Sequence, residues 1–125
     1  MTETWLSPAI GNNMVTFAGF NIFRKDRPCM RGGGIAFYIK DTYQCEEIIL
    51  PDGCMECLGI RIVFANKMLL NIVVIYKPPK ENDNTFAQLN HIIKTLGDKE
   101  LIIIGDFNIN WQNKSARTKL KQTCA

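Results

Sequence analysis

The apolar run Leu101-Ile102-Ile103-Ile104 stops at Gly105 and hands over to Asp106, Phe107 and Asn108, so a carboxylate and an amide stand where a strand should end. Asp106 and Asn108 are two positions apart and point to the same side if the chain stays extended. An ionised aspartate at the mouth of a dry sheet is costly unless it meets a cation, a donor or water. Gly105 lets another backbone or a ligand come close. A second apolar run, Leu69-Leu70-Asn71-Ile72-Val73-Val74-Ile75, ends at Tyr76, and Lys77-Pro78-Pro79 halts it because proline has no N–H for a ladder. Carboxylates and amides at strand mouths can position a water and counter a developing charge. Asp-x-Asn taken alone is equally a turn former.

The elements that must hold these groups follow from periodicity. Neither apolar run alternates, so both read as central strands, the Leu101 run buried on both faces. Between them Thr85 and Gln88 have capping-box spacing, Phe86, Leu89, Ile92, Ile93 and Leu96 make one apolar helical stripe, and Gly97 is the stop. Strand, helix, strand is a right-handed crossover that sets the two strands parallel and brings Tyr76 and Asp106 to one edge. Upstream, residues 15–23 read as a strand, with Phe20, Ile22 and Arg24 on one face and Phe23 on the other, interrupted by basic residues 24–31. Gly32-Gly33-Gly34 leads into Ile35-Ala36-Phe37-Tyr38-Ile39. A phosphate cradle uses a helix start, so before a strand the glycines read as a tight turn. Residues 43–50 and 55–64 are further strands, the latter forming a hairpin with the Leu69 run through Ala65-Asn66-Lys67. From residue 111 onward there is no strong periodicity, only a basic tail that reads as a frayed end.

Composition sets broad limits. The chain has 125 residues, enough for one domain or part of one, with 46% hydrophobic and 22% charged residues as in an ordinary globular protein. Lys and Arg total 15 against 12 Asp and Glu, and the net charge of +3 permits a polyanionic partner without requiring one. Arg24, Lys25, Arg27 and Arg31 cluster near one end and Lys114, Arg117, Lys119 and Lys121 near the other; each cluster is either a phosphate-contacting patch or a solvated surface. No apolar run approaches a membrane span and the start carries no basic-then-apolar signal, so no membrane association and an intracellular chain are expected. Five cysteines are an odd number, for which reduced thiols are the better expectation. Cys54-x-x-Cys57 is a poor zinc pair, because an odd offset on a strand sends the sulfurs to opposite faces and His91 is the one histidine.

Taken in order, Thr2-Glu3-Thr4-Trp5-Leu6-Ser7, Phe23-Arg24-Lys25-Asp26-Arg27, Gly32-Gly33-Gly34-Ile35-Ala36, Ile75-Tyr76-Lys77-Pro78-Pro79 and Gly105-Asp106-Phe107-Asn108 form a series. It resembles the endonuclease/exonuclease/phosphatase superfamily, and most closely the endonuclease domain of non-LTR retrotransposons. The resemblance implies a partial DNase I-like α/β sandwich and magnesium-dependent cleavage of phosphodiesters in DNA, with manganese as an alternative ion, in the nucleus. It also implies roles. Glu3 matches the metal-binding glutamate and Tyr76 the tyrosine that contacts the phosphate. Asp106 matches the aspartate that aligns or deprotonates the attacking water, and Asn108 the neighbour that orients the scissile group. Arg24, Arg27 and Lys77 are the nucleic-acid contacts. Lys77 stands where the family often has arginine, keeping the charge but losing the bidentate fork.

The series also departs from the family. An earlier strand bearing an asparagine and a late Ser-Asp-His segment do not occur in these residues, and a strand placing Glu3 would have to precede Met1, so the sequence reads as cut at both ends. His91 lies on the helix and is not carried over. Three functions stay open: a DNA-nicking endonuclease domain, expected to be inactive as an isolated chain; a non-catalytic relic that binds nucleic acid weakly; and a phosphatase of the same superfamily. An incomplete sheet leaves unpaired strand edges, from which self-association is expected.

Overall fold

A computed structural model of the chain describes residues 1–27, 32–51, 53, 55–79, 84–110 and 112–123. It is a mixed α/β structure. Two strands, β1 (Phe20–Lys25) and β2 (Ile35–Lys40), pair antiparallel. β3 (Gln44–Ile48), β4 (Glu56–Val63), β5 (Leu69–Tyr76) and β6 (Glu100–Asp106) form a second sheet in the order β3-β4-β5-β6. Helix α1 (Thr85–Leu96) connects β5 to β6, and α2 (Lys114–Thr123) follows. The expected hairpin of β4 with β5 forms, and β5 and β6 run parallel across the helical crossover.

Two apolar layers lie on either side of the larger sheet. On one face Ile35 and Ile39 of β2 meet Leu58, Ile60, Ile62, Val74 and Tyr76, with Phe23 and Phe37 beside them. On the other, Leu89, Ile92 and Leu96 of α1 meet Cys57, Val73 and Ile75. The helical stripe read from sequence is the buried one, and period-two alternation in β4 and β5 divides their side chains between the layers.

Several expectations are corrected. The Leu101 run is not buried on both faces: β6 is an edge strand, and Ile102 and Ile104 are 44% and 43% exposed. Leu101 and Ile103 pack toward α1, but the smaller sheet packs over β4 and β5 and does not cover the opposite side of β6. The first strand begins at Phe20 rather than at residue 15, because Gly19 turns the chain at φ +80° and the Phe20 N–H closes a turn on the Phe17 carbonyl. It runs through Arg24 and Lys25, so the basic residues begin inside the strand.

The capping box does not form. Asn84 holds the N-cap position without a side-chain cap, and Gln88 is turned inward, where it accepts from the Met55 N–H at 2.9 Å and donates to the Pro51 carbonyl at 3.3 Å. The Met55 N–H lies in a buried residue with no water to turn to, so it claims this amide. The tail is not frayed either. Asn113 Oδ1 accepts from the N–H groups of Ser115 and Ala116, an N-cap that opens α2, and Leu120 packs against the α1 layer. Of the Cys54-x-x-Cys57 pair, Cys57 is buried in β4, and Cys54 lies outside the described residues, as does Arg31 of the basic cluster.

Candidate functional site

Parallel pairing of β5 and β6 ends with Tyr76 opposite Asp106. Residues opposed in a ladder share a face, so the phenol and the acid are borne on one side of one sheet end rather than on opposite rims. The junction is stitched beyond the last pair. The Lys77 N–H donates to the Asp106 carbonyl at 2.9 Å, and the Asn108 side-chain amide donates to the Lys77 carbonyl at 2.8 Å. Gly105 makes this fit possible. Its φ of +146° is one that L side chains rarely adopt, and a Cβ there would run into the Ile75 carbonyl.

Asp106 and Asn108 are tied to each other. The Asn108 N–H reaches Asp106 Oδ1 at 3.0 Å and its side-chain amide reaches Oδ2 at 3.2 Å, with Asn108 in the left-handed region at φ +43°. This is the local bonding that suits asparagine to such a backbone. It leaves the carboxylate exposed to solvent but fixed in orientation. Lys77 Nζ donates to the Pro78 carbonyl at 3.2 Å.

Glu3 arrives from a distant part of the chain. Residues 1–5 run beside the start of β2: the Ala36 N–H donates to the Met1 carbonyl, Thr2 bridges Ile35, and the Thr4 and Trp5 N–H groups donate to the Gly34 and Gly33 carbonyls. One bridge at Thr2 and these backbone bonds hold the segment that carries Glu3. Glu3 takes φ +55° within it, and its Oε1 accepts a hydrogen bond of 2.5 Å from the Tyr76 hydroxyl. Tyr76 is 4% exposed, and its phenol is pushed up to about 12, first by this bond, then by burial and by the Glu3 charge, with Arg27 opposing and Glu56 adding. Tyr76 therefore keeps its proton at neutral pH and acts as a donor.

Sequence reasoning missed Glu56. It stands opposite Tyr76 across the β4–β5 ladder, on the same face as Leu58 and Ile60, and its Oε2 accepts from the Gly34 N–H at 2.7 Å. Arg27 donates through Nε to Glu56 Oε1 at 2.5 Å, pairs with it again through Nη2, and holds its guanidinium 5.8 Å from the centre of the Tyr76 ring. An acid in an otherwise apolar alternating row was the available signal. Arg24 is committed too: Nη2 donates to the Ile10 carbonyl at 2.5 Å and pairs with Asp26 at 3.0 Å. Both arginines are thus engaged with other parts of the chain, and Arg27 alone stands at Tyr76.

Among the described residues no three His, Cys, Asp or Glu side chains converge as a metal-holding group. His91 is exposed on α1. An apolar cavity of about 370 Å³, lined by Leu89, Ile103, Phe107, Leu120 and Lys121, lies behind Phe107 on the helix-covered face, away from the Tyr76 side of the sheet. No helix among the described residues is long and apolar enough to cross a membrane. No protein-family model matches the chain, and no curated protein matches it.

Proposed function

We propose that the chain is a divalent-metal-dependent phosphodiesterase domain of the DNA-nicking type, acting in the nucleus. The observation that carries this reading is the meeting of Glu3, Tyr76 and the Asp106–Asn108 pair, from three separate stretches, at one end of one sheet. Oxygen donors of this kind suit magnesium or manganese, which take one or two carboxylates and keep several waters. Tyr76 engages Oε1 of Glu3, so Oε2 is the Glu3 oxygen that would hold the ion. When bound, the ion supplies counter-charge for the phosphorane and the leaving oxygen.

The chain's own groups supply the rest. Asp106, held by Asn108, takes a proton from the attacking water as that oxygen bonds to phosphorus. The bond from phosphorus to the sugar oxygen breaks, and the leaving oxygen is protonated by solvent. Tyr76, kept neutral, commits its one hydroxyl proton to Glu3 Oε1 and so holds that carboxylate in position. Supercoiled plasmid incubated with the protein and magnesium should become nicked, and Asp106→Ala should abolish nicking. A folded wild-type protein that leaves plasmid intact at high magnesium would overturn the catalytic reading.

A second reading is favoured by the commitment of Arg24 and Arg27 to internal partners: non-catalytic nucleic-acid binding through the basic residues Lys114, Arg117, Lys119 and Lys121 of α2. Salt-sensitive DNA binding that Asp106→Ala does not alter, without nicking, is its signature. A phosphatase would use the same strand-end groups, and phosphate release from small phosphomonoesters separates that case.

A further inference from the structure

The helix-covered face of the larger sheet keeps a space that its own side chains do not fill. The apolar cavity of about 370 Å³ there is walled by Leu89 of α1, Ile103 of β6, Phe107 and Leu120 of α2, and among the described residues the one polar side chain on its lining is Lys121. The space remains because α2 brings a single large aliphatic residue, Leu120, to the apolar layer of α1 and β6. Water is a poor occupant: a bound water needs about two to four polar partners, and these walls offer one. Lys114, Arg117 and Lys121 recur at spacings of three and four along α2, so by helical period they form one cationic stripe that reaches the cavity. The helix contains no acid.

We propose that this cavity binds a single-chain anionic amphiphile, a fatty carboxylate of medium length, with its chain among Leu89, Ile103, Phe107 and Leu120 and its carboxylate at the Lys121 ammonium. Volume sets the length. A cavity of about 150 Å³ accommodates benzene, so 370 Å³ holds about fifteen heavy atoms and takes a chain of about eight to twelve carbons, whereas a two-chain lipid does not fit. The aliphatic and aromatic walls supply most of the affinity, because removing the chain from water is favourable in proportion to the area covered. Lys121 is exposed, so its ammonium fixes which end of the ligand points outward and adds a modest preference for an anion. The rest of the cationic stripe opposes a cationic head group at the same mouth. This site rests on the cavity and α2 alone and is independent of the nucleic-acid reading of the strand ends.

The test is equilibrium dialysis of the full chain at neutral pH with radiolabelled octanoate, and with octanol as the neutral ligand of equal length. Wild type should bind octanoate saturably, with a Kd of about 1 mM or tighter. Octanol should bind about three-fold more weakly. Lys121→Gln should bring octanoate down to the octanol value and leave octanol unchanged. Excess acetate should not displace octanoate, because the chain carries the affinity. Leu120→Phe should abolish binding of both ligands without lowering the thermal unfolding temperature, since the added ring enters open space rather than packed core. Ile103→Phe fills the cavity from the strand wall should Leu120→Phe not fold, and circular dichroism checks both. Octanoate that does not bind wild type, that binds no better than octanol, or that acetate displaces overturns the proposal. So does a preference for octanoate that survives Lys121→Gln, or undiminished binding by a folded cavity-filling variant.

Discussion

The Tyr76 hydroxyl donates a 2.5 Å hydrogen bond to the Glu3 carboxylate across 73 positions of sequence. That single contact fastens the first residues of the chain to the end of β5, and it is the largest cause of the raised pKa of the phenol.

Alkaline titration follows from it. Tyr76 is raised to about 12 by the bond to Glu3, by burial and by nearby negative charge. A raised folded value means that the stabilisation is complete below the unfolded phenol range near about 10 and is lost as pH rises through the folded value. Of the three tyrosines, one should therefore ionise last in a spectrophotometric titration. Tyr76→Phe should remove that last step, and Glu3→Gln should bring it down. A titration in which every phenol ionises together near about 10 would contradict the bond.

Arg27 is expected to behave as an anchor. Its side chain and that of Glu56 are 19% and 18% exposed, and Glu56 holds the Gly34 N–H as well. Arg27→Ala leaves a half-satisfied carboxylate in the interior and should lower stability by about 2 kcal/mol in urea unfolding. Lys99→Ala, which removes the exposed pair with Asp98, should change stability by less than about 0.5 kcal/mol. Equal effects of the two substitutions would show that the Arg27 pair is only a surface contact.

Gln88 separates two roles by size of effect. Loss of a helix cap costs about 1 kcal/mol. Loss of a buried partner for the Met55 N–H and the Pro51 carbonyl costs about 2 kcal/mol or more, and Gln88→Glu should be nearly as harmful as Gln88→Ala because a carboxylate cannot donate to that carbonyl. Urea unfolding of both variants checks this; a tolerated Gln88→Glu would sink it.

Edge exposure on β6 leads to association. Ile102 and Ile104 remain exposed, and among the described residues β6 has one neighbouring strand, β5. An apolar stretch on an edge strand without proline invites pairing with another chain. Light scattering should show concentration-dependent association that Ile102→Lys with Ile104→Lys suppresses. A monodisperse wild-type monomer would refute it.

How much of this was legible in sequence differs from residue to residue. The parallel strands ending at Tyr76 and Asp106 were legible, because proline stops one ladder, an apolar run hands over to polar residues in the other, and a striped helix joins them. The cap of α2 was legible in Asn113 and was overlooked because the segment after it carries a weak apolar pattern, Leu120 being its main contact with the core. The exposed face of β6 was not. An unbroken apolar run states that burial would be favourable, whereas its realisation depends on how many strands the opposing sheet has.

The local chain determined which segments are strands and helices, where the β5 and β6 ladders stop, and which face of α1 is apolar, since period and stop residues act over a few positions. Tertiary structure alone decided that Glu3 bonds Tyr76, that Arg27 is spent on Glu56, that Gln88 turns inward and that Ile102 and Ile104 remain bare. Each of those outcomes is a choice among competing distant partners. A hydrogen-bonding or apolar side chain carries the same chemistry wherever it falls, so only the packed arrangement selects the partner it meets.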